Sequence, residues 1–500
     1  MKSRLLTFLL CLALACPVPG IAPVRAAGLP DLGEVAADEL SPLEERRIGE
    51  EIMREFRRDP AWLDDPLVEE YIDRLGRRLA AASTDPSRVS GFFVIKDATL
   101  NAFAMPGGYI VVHTGLILAA ESESELAGVL GHEVTHVTQR HIAQLVGKQS
   151  QSTMIMLASL LVAMLAARSN SQLSEAAVMA GQAGALQSQL GYSRDFEREA
   201  DRGGLQTLEA AGFDVRGMAG FFGRLQRAGR LYENNAPAYL RTHPLTTERI
   251  ADMENRVAGM RYRQVPDSDD FRYTRTRLRV QALPAAEALR AFTEWVDASP
   301  EDVSMRYGLA LAQLRMGRLD EAGKGLDELR RRGANSPFIE MLAGELAMAR
   351  HETGQAIKIL EAARRTFPAS MSIAYALADA RINAGASASA VVELRRMLNG
   401  RNNDIRLWAL LARAQTALGR RTAQHRAQAE VHALQGAYPA ALEQLELARK
   451  AGDSDFYELS AVDARLREIR ERVRETRRAG GNNGSGREEW NLTEKSTRAD

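Results

Sequence analysis

His132-Glu133-Val134-Thr135-His136 sets two imidazoles four residues apart with a carboxylate between them. On a helix, positions i and i+4 share one face, so both imidazoles can bind one Zn²⁺ while Glu133 stays near a water as general base. A catalytic zinc needs a third protein ligand and an open fourth position. The downstream run Ser193 to Asp201 offers it: Glu197 and Asp201 are also four apart. One carboxylate could face the metal, and the other could accept the free N–H of a ligand histidine. Glu199, about 160° from Asp201 around that helix, is the poorer candidate. His141 lies nine residues beyond His132, about 180° around a continuous helix, and is expected to point away from the metal. His113 follows a strand pattern and reads as structural.

The elements that must position these residues have their own signals. Ser122-Glu123-Ser124-Glu125 has the form of a capping box, and Leu126, Val129, Leu130, Val134 and Val137 follow at helical spacing, which predicts an amphipathic helix buried on one side. Phe92–Ile95 and Tyr109–Val112 read as strands on either side of a turn at Pro106-Gly107-Gly108. An edge strand there could hold an extended substrate by β-augmentation. Helical patterns over 41–58 and 67–82 precede the strands. Together these predict an α+β metallopeptidase domain over 36–263, mostly helical with a small sheet. Met154 to Ala167 is almost wholly apolar, and its 14 residues are too few to span a bilayer comfortably. A buried helix is the default reading, with an interfacial helix or a lid over the cleft as the alternatives; if the polar run from Ser169 to Gln189 returns as a second arm, the hairpin is expected to cover the cleft or contact hydrophobic clients.

The N-terminus carries a basic start, an apolar stretch from Leu5 to Ala15 and the small-residue site Val24-Arg25-Ala26, so 1–26 reads as a secretory signal peptide. Both cysteines, Cys11 and Cys16, lie within it, leaving a mature chain without thiolate ligands or disulfides. Ala13-Leu14-Ala15-Cys16 is a poor lipoprotein box, which argues against a lipid anchor. Lysine plus arginine equals aspartate plus glutamate at 65 each. That balance gives no pull towards nucleic acid.

Beyond a linker at 264–284, the chain acquires a period. Leu309, Ala343, Leu377 and Leu411 are each 34 residues apart, as are Ala310, Gly344, Ala378 and Ala412. Ala322, Ala356 and Ala390 keep the step, as do Leu326, Leu360 and Leu394. A 34-residue period with small residues where helices cross is the tetratricopeptide signature. It predicts an all-α solenoid over 285–472, irregular in its fourth unit because the third column breaks at Gln424. The polar stretch 473–500 reads as a disordered tail.

The zinc motif followed by Glu-x-x-Ala-Asp resembles the gluzincin peptidases that include the HtpX membrane proteases and the CAAX prenyl proteases. With the repeats, Asn101 to Gly108 and His243-Pro244-Leu245-Thr246-Thr247-Glu248-Arg249, the chain is most similar to the periplasmic beta-barrel assembly-enhancing protease family. The resemblance implies one zinc held by His132, His136 and Glu197, Glu133 as catalytic base, and Asp201 behind the ligands. A histidine before proline lies in an extended segment and could reach the cleft, where His243 could donate to an oxyanion or occupy the fourth zinc position; the family associates it with a closed state. The resemblance also implies a periplasmic endopeptidase acting on stalled outer-membrane proteins, with the repeats recruiting clients or the assembly machinery. Peripheral membrane contact stays open. The alternative is chiefly a chaperone or scaffold with a self-inhibited zinc site.

Overall fold

The computed structural model describes residues 40–147, 194–231 and 238–481. The signal peptide, the apolar segment Met154–Ala167 with its proposed return arm, and residues 482–500 of the polar tail lie outside the described residues.

Pro42–Phe56 (α1) starts from a complete capping box between Ser41 and Glu44. Pro66–Ala81 (α2) starts at Asp65, whose carboxylate accepts from the Leu67 and Val68 N–H groups. Three strands follow: Gly91–Ile95 (β1), Ala102–Met105 (β2) and Tyr109–His113 (β3), arranged β1-β3-β2. β1 runs parallel to β3, and β2 antiparallel to it. The Pro-Gly-Gly turn thus joins β3 to β2, not to β1 as the sequence pattern suggested. Ala-Phe-Ala-Met has no β-branched residue and gives a weak strand signal. Gly107 and Gly108, at φ 78° and 79°, supply the left-handed backbone that closes this hairpin. The outer edge of β1 is covered, since Leu63 N–H donates to Val94 and Lys96 N–H donates to Ala61.

Thr114–Ala119 (α3) leads into the central helix Glu123–Thr138 (α4), of which all 16 residues are buried. One-sided burial was expected; sheet, α2 and two later helices instead enclose it, Arg194–Ala210 (α6) and Arg216–Leu231 (α7). The capping box is only half formed. Ser122 accepts from the Glu125 N–H, but the Glu125 carboxylate accepts from the Glu121 N–H and pairs with Arg224. Where α4 crosses α6, a Cβ on Gly131 would lie 3.2 Å from the Gly204 oxygen, and one on Gly204 would lie 3.1 Å from the His132 nitrogen. Glycine on both helices permits that approach, which faces His132 towards Glu197.

His141–Gly147 (α5), Ala238–Thr242 (α8) and Thr247–Gly259 (α9) complete this region. Within the stretch read as a linker, 264–284, Asp269–Ala282 (α10) is a helix. Phe271 and Leu278 join the peptidase core while Tyr273 and Val280 join the first solenoid core, so burial on two sides obscures the helical period.

The solenoid runs through Ala285–Ala298 (α11), Val303–Arg315 (α12), Leu319–Arg331 (α13), Pro337–Ala349 (α14), Thr353–Thr366 (α15), Met371–Asn383 (α16), Ser387–Leu398 (α17), Ile405–Ala417 (α18), Arg421–Leu434 (α19), Tyr438–Lys450 (α20) and Phe456–Gly481 (α21). Ala310, Gly344, Ala378 and Ala412 are buried where paired helices meet. A Cβ on Gly344 would approach Leu360 to 2.9 Å. In the fourth unit, Ala423 and Ala427 are among the buried residues, and Gln424 is not. Burial has moved back one position relative to Gln424, so α19 keeps the packing in a shifted register.

Candidate metal centre

Three elements converge on one buried point. α4 contributes His132, Glu133 and His136; α6 contributes Glu197 and Asp201; the turn between α8 and α9 contributes His243. Ligand atoms of His132, His136, Glu197 and His243 all lie within 4.8 Å of one another. The Nε2 atoms of His132 and His136 are 3.0 Å apart. Glu197 reaches between them, with Oε2 3.6 Å from His132 Nε2 and Oε1 3.5 Å from His136 Nε2. A tetrahedral cation with bonds of about 2.0–2.1 Å requires donors about 3.3 Å apart. The three separations bracket that value, so the donor set fits a small tetrahedral cation.

Each donor is held from behind. His132 Nδ1 lies 3.1 Å from Asp201 Oδ1. Arg249 binds the Asp201 carboxylate with two parallel hydrogen bonds, each 2.7 Å, from Nε and Nη2. Its Nη1 lies 2.6 Å from Glu197 Oε2 and donates to the Pro244 carbonyl at 2.8 Å. The role of Arg249 is not legible in the sequence, because nothing local shows that a guanidinium at this spacing reaches two carboxylates on another helix. Glu133 Oε2 accepts from the Ala104 N–H of β2 at 3.1 Å. That contact was equally illegible, since the expected sheet did not contain β2.

His141 does not point away from the metal, as a continuous helix would have placed it. α4 stops at Thr138, and Arg140 adopts φ 56°, so the chain turns back. His141 therefore faces the centre, with its Nδ1 2.9 Å from His136 Nδ1. Its ring stacks on Phe196 at 4.5 Å and 13°. Glu199, half exposed, reaches its other nitrogen at 3.4 Å. His113 is buried and is not part of this group, its Nδ1 2.9 Å from Thr99 Oγ1.

His243 closes the cluster. Its Nδ1 is 2.9 Å from Glu197 Oε1, its Nε2 is 3.6 Å from Glu133 Oε1, and its ring stacks on Tyr239 at 4.5 Å. The four grouped side chains are all buried. Burial alone would depress the His132 imidazole, but the Asp201 and Glu197 carboxylates raise it to about 9. Burial would likewise raise Glu197, yet His243 and His132 hold it well below the usual carboxylate range. Glu133 is pushed up by burial, against the pull of His243 and His132. A carboxyl raised in this way is suited to carry a proton. A cavity of about 620 Å³ lies elsewhere, behind α4 between Thr135 and the Asp195–Ala210 face of α6.

A helix bearing two imidazoles and a carboxylate, crossed by a helix bearing the third donor, defines a metallopeptidase centre. Residues 66–257 match the Peptidase family M48 model, and 285–346 and 347–414 match a tetratricopeptide repeat model. The beta-barrel assembly-enhancing protease of Escherichia coli K12 is 31% identical over 475 residues, covering 94% of this chain and 96% of that protein. A Vibrio cholerae relative is 34% identical over 467 residues, covering 92% of this chain and 96% of its own. The mitochondrial metalloendopeptidase OMA1 of Arabidopsis thaliana is 31% identical over 185 residues, covering 36% of this chain and 35% of that protein. The chain is a metalloendopeptidase with C-terminal tetratricopeptide repeats, and it belongs to the beta-barrel assembly-enhancing protease family.

Proposed function

We propose that this chain is a periplasmic zinc endopeptidase that acts on outer-membrane proteins in assembly and degrades those that stall. In this reading its site is held shut at rest by His243, and its repeats recruit clients or the assembly machinery. The observation that carries the enzymatic part is the tetrahedral spacing of His132, His136 and Glu197 beside a buried Glu133. The choice of client rests on the names of the full-length relatives, and the periplasmic setting also on the signal-like N-terminus. Zinc suits two imidazoles and one carboxylate, and when bound it would supply a Lewis acid and an acidified water.

The residues divide the remaining work. Ala104 N–H holds Glu133 Oε2, leaving Oε1 to take the proton from the attacking water and deliver it to the leaving amine. Asp201 keeps the His132 imidazole in one tautomer, with the proton on Nδ1. Arg249 fixes Asp201 and Glu197 together. His243, beside both Glu197 and Glu133, would compete for the fourth ligand position.

Glu133→Gln should abolish cleavage of an unfolded substrate, whereas His243→Ala should raise it severalfold. Cleavage unchanged or lost in His243→Ala would sink the inhibitory reading. Burial of the four donors favours a second role, chaperone or scaffold, in the resting state. Rescue of barrel assembly by Glu133→Gln would support that role, and failure of rescue would tie assembly to proteolysis.

A further inference from the structure

His141 has no part in the chemistry so far. We propose that His141 is a positioning residue for the metal ligand His136 and is itself oriented by Glu199. His136 turns Nε2 towards His132 and Glu197, at 3.0 and 3.5 Å, so this nitrogen is the ligating one. A neutral imidazole that ligates through Nε2 carries its proton on Nδ1. That N–H points at His141 Nδ1, 2.9 Å away. His141 must therefore present a bare Nδ1 as acceptor and carry its own proton on Nε2, where Glu199 Oε2 lies at 3.4 Å. The three groups form one directed chain from ligand to half-exposed carboxylate, and each link sets the tautomer of the next.

The two ligand histidines are consequently backed differently. His132 is backed by the carboxylate of Asp201, itself neutralised by Arg249. His136 is backed by a neutral imidazole. Stacking of His141 on Phe196 and the reversed backbone at Arg140 hold that imidazole in place. Glu199, set aside as a ligand because it lies on the wrong side of α6, has a place at the end of this chain.

The inference rests on His136 ligating metal, which zinc binding by the wild type and its loss in His136→Ala establish separately. The decisive measurement is the zinc dissociation constant, by chelator competition, in wild type, His141→Phe and His141→Asn. Phenylalanine keeps the stacking on Phe196 but removes the acceptor, so zinc should bind about 10–100-fold more weakly. Asparagine places Oδ1 near the Nδ1 position and should keep the constant within about threefold of wild type. The visible spectrum of the Co²⁺ form should shift in His141→Phe and not in His141→Asn. Equal zinc constants in wild type and His141→Phe would overturn the proposal, as would equal losses in both variants. If metal-free His141→Phe does not fold, as judged by circular dichroism, His141→Gln takes its place, since its amide oxygen sits one carbon further out. Equal constants for the Asn and Gln variants would then overturn the proposal.

Discussion

Two buried side chains show how single residues set the properties of the catalytic domain. Arg249 is the counter-charge that lets Asp201 and Glu197 approach each other inside the protein. Removing one partner of a buried ion pair leaves uncompensated charge, a cost of about 3–5 kcal/mol. Arg249→Met should therefore lower the unfolding free energy of the metal-free protein by about that amount. Arg249→Lys should fall between, because an ammonium keeps the charge but not the fork. Denaturant titration checks both; a loss under about 1 kcal/mol in Arg249→Met would show the carboxylates stable without it. His113 makes a pH prediction. Burial lowers its imidazole to about 4, although Asp97 lies 3.6 Å away. Below the unfolded value of 6.5, the unfolded chain takes up a proton that the folded chain does not. This group's stabilisation is complete above pH 6.5 and falls as the pH drops towards 4, by up to about 3 kcal/mol. His113→Asn should flatten the melting temperature across that window; an unchanged slope would contradict the assignment.

Among the elements, the α4–α6 crossing is the one on which the centre depends. His132 and His136 come ready spaced on one helix, but Glu197 meets them only because Gly131 and Gly204 let the backbones approach. Gly204→Val would place methyl groups against the His132 backbone and Met218 Cε, which lies 3.2 Å from the site of a Cβ. Overpacking of this kind costs about 1–3 kcal/mol, and a displacement of about 1 Å at the reacting groups can cost about a hundredfold in rate. Gly204→Val should thus lower cleavage by about a hundredfold while the protein stays folded. Gly344→Val, a comparable clash against Leu360 in the solenoid, should lower stability by about 1–3 kcal/mol with little effect on cleavage. Peptidase assay and thermal melting separate the two; equal loss of cleavage in both would indicate a global effect.

Across the whole molecule, the solenoid is folded back onto the peptidase domain. Arg406, at the start of α18, reaches Asp64 at 2.7 Å and Glu69 at 2.6 Å. Glu70 of α2 accepts from the hydroxyls of Ser370 and Ser372 at the start of α16. Arg277 of α10 binds Asp65 at 2.5 Å and lies 3.5 Å from Glu345 of α14. Arg54 of α1 donates to the Tyr438 hydroxyl at the start of α20 at 2.6 Å. α16 and α18 therefore meet the acidic corner before and within α2, while α14 meets it through Arg277 and α20 meets α1. A repeat array otherwise contacts only its neighbours, so these polar contacts, together with the apolar bridge of α10 and Leu67 in the first solenoid core, hold the two parts against each other. Arg406→Ala with Glu70→Ala should increase the radius of gyration in solution scattering and speed hydrogen exchange at the starts of α16 and α18. Helical content should stay constant. An unchanged scattering curve would show that docking does not depend on these pairs.

The sequence by itself determined what backbone periodicity can encode. Positions four apart share a helix face, so His132 with His136 and Glu197 with Asp201 were legible as pairs, and a 34-residue step made the helical repeats legible as a solenoid. Tertiary structure decided what depends on where elements cross. The two-sided burial of α10, the role of Arg249 and the docking of the solenoid leave no local signal, because their partners are distant in the chain; β2 pairs with its neighbour β3 but leaves only a weak signal, because it has no β-branched residue. His141 marks the boundary. A continuous helix would have turned it away, but one left-handed residue, Arg140, ends the period and returns the ring to His136. Local geometry proposes the donors of a metal centre; only the packed fold determines what holds them.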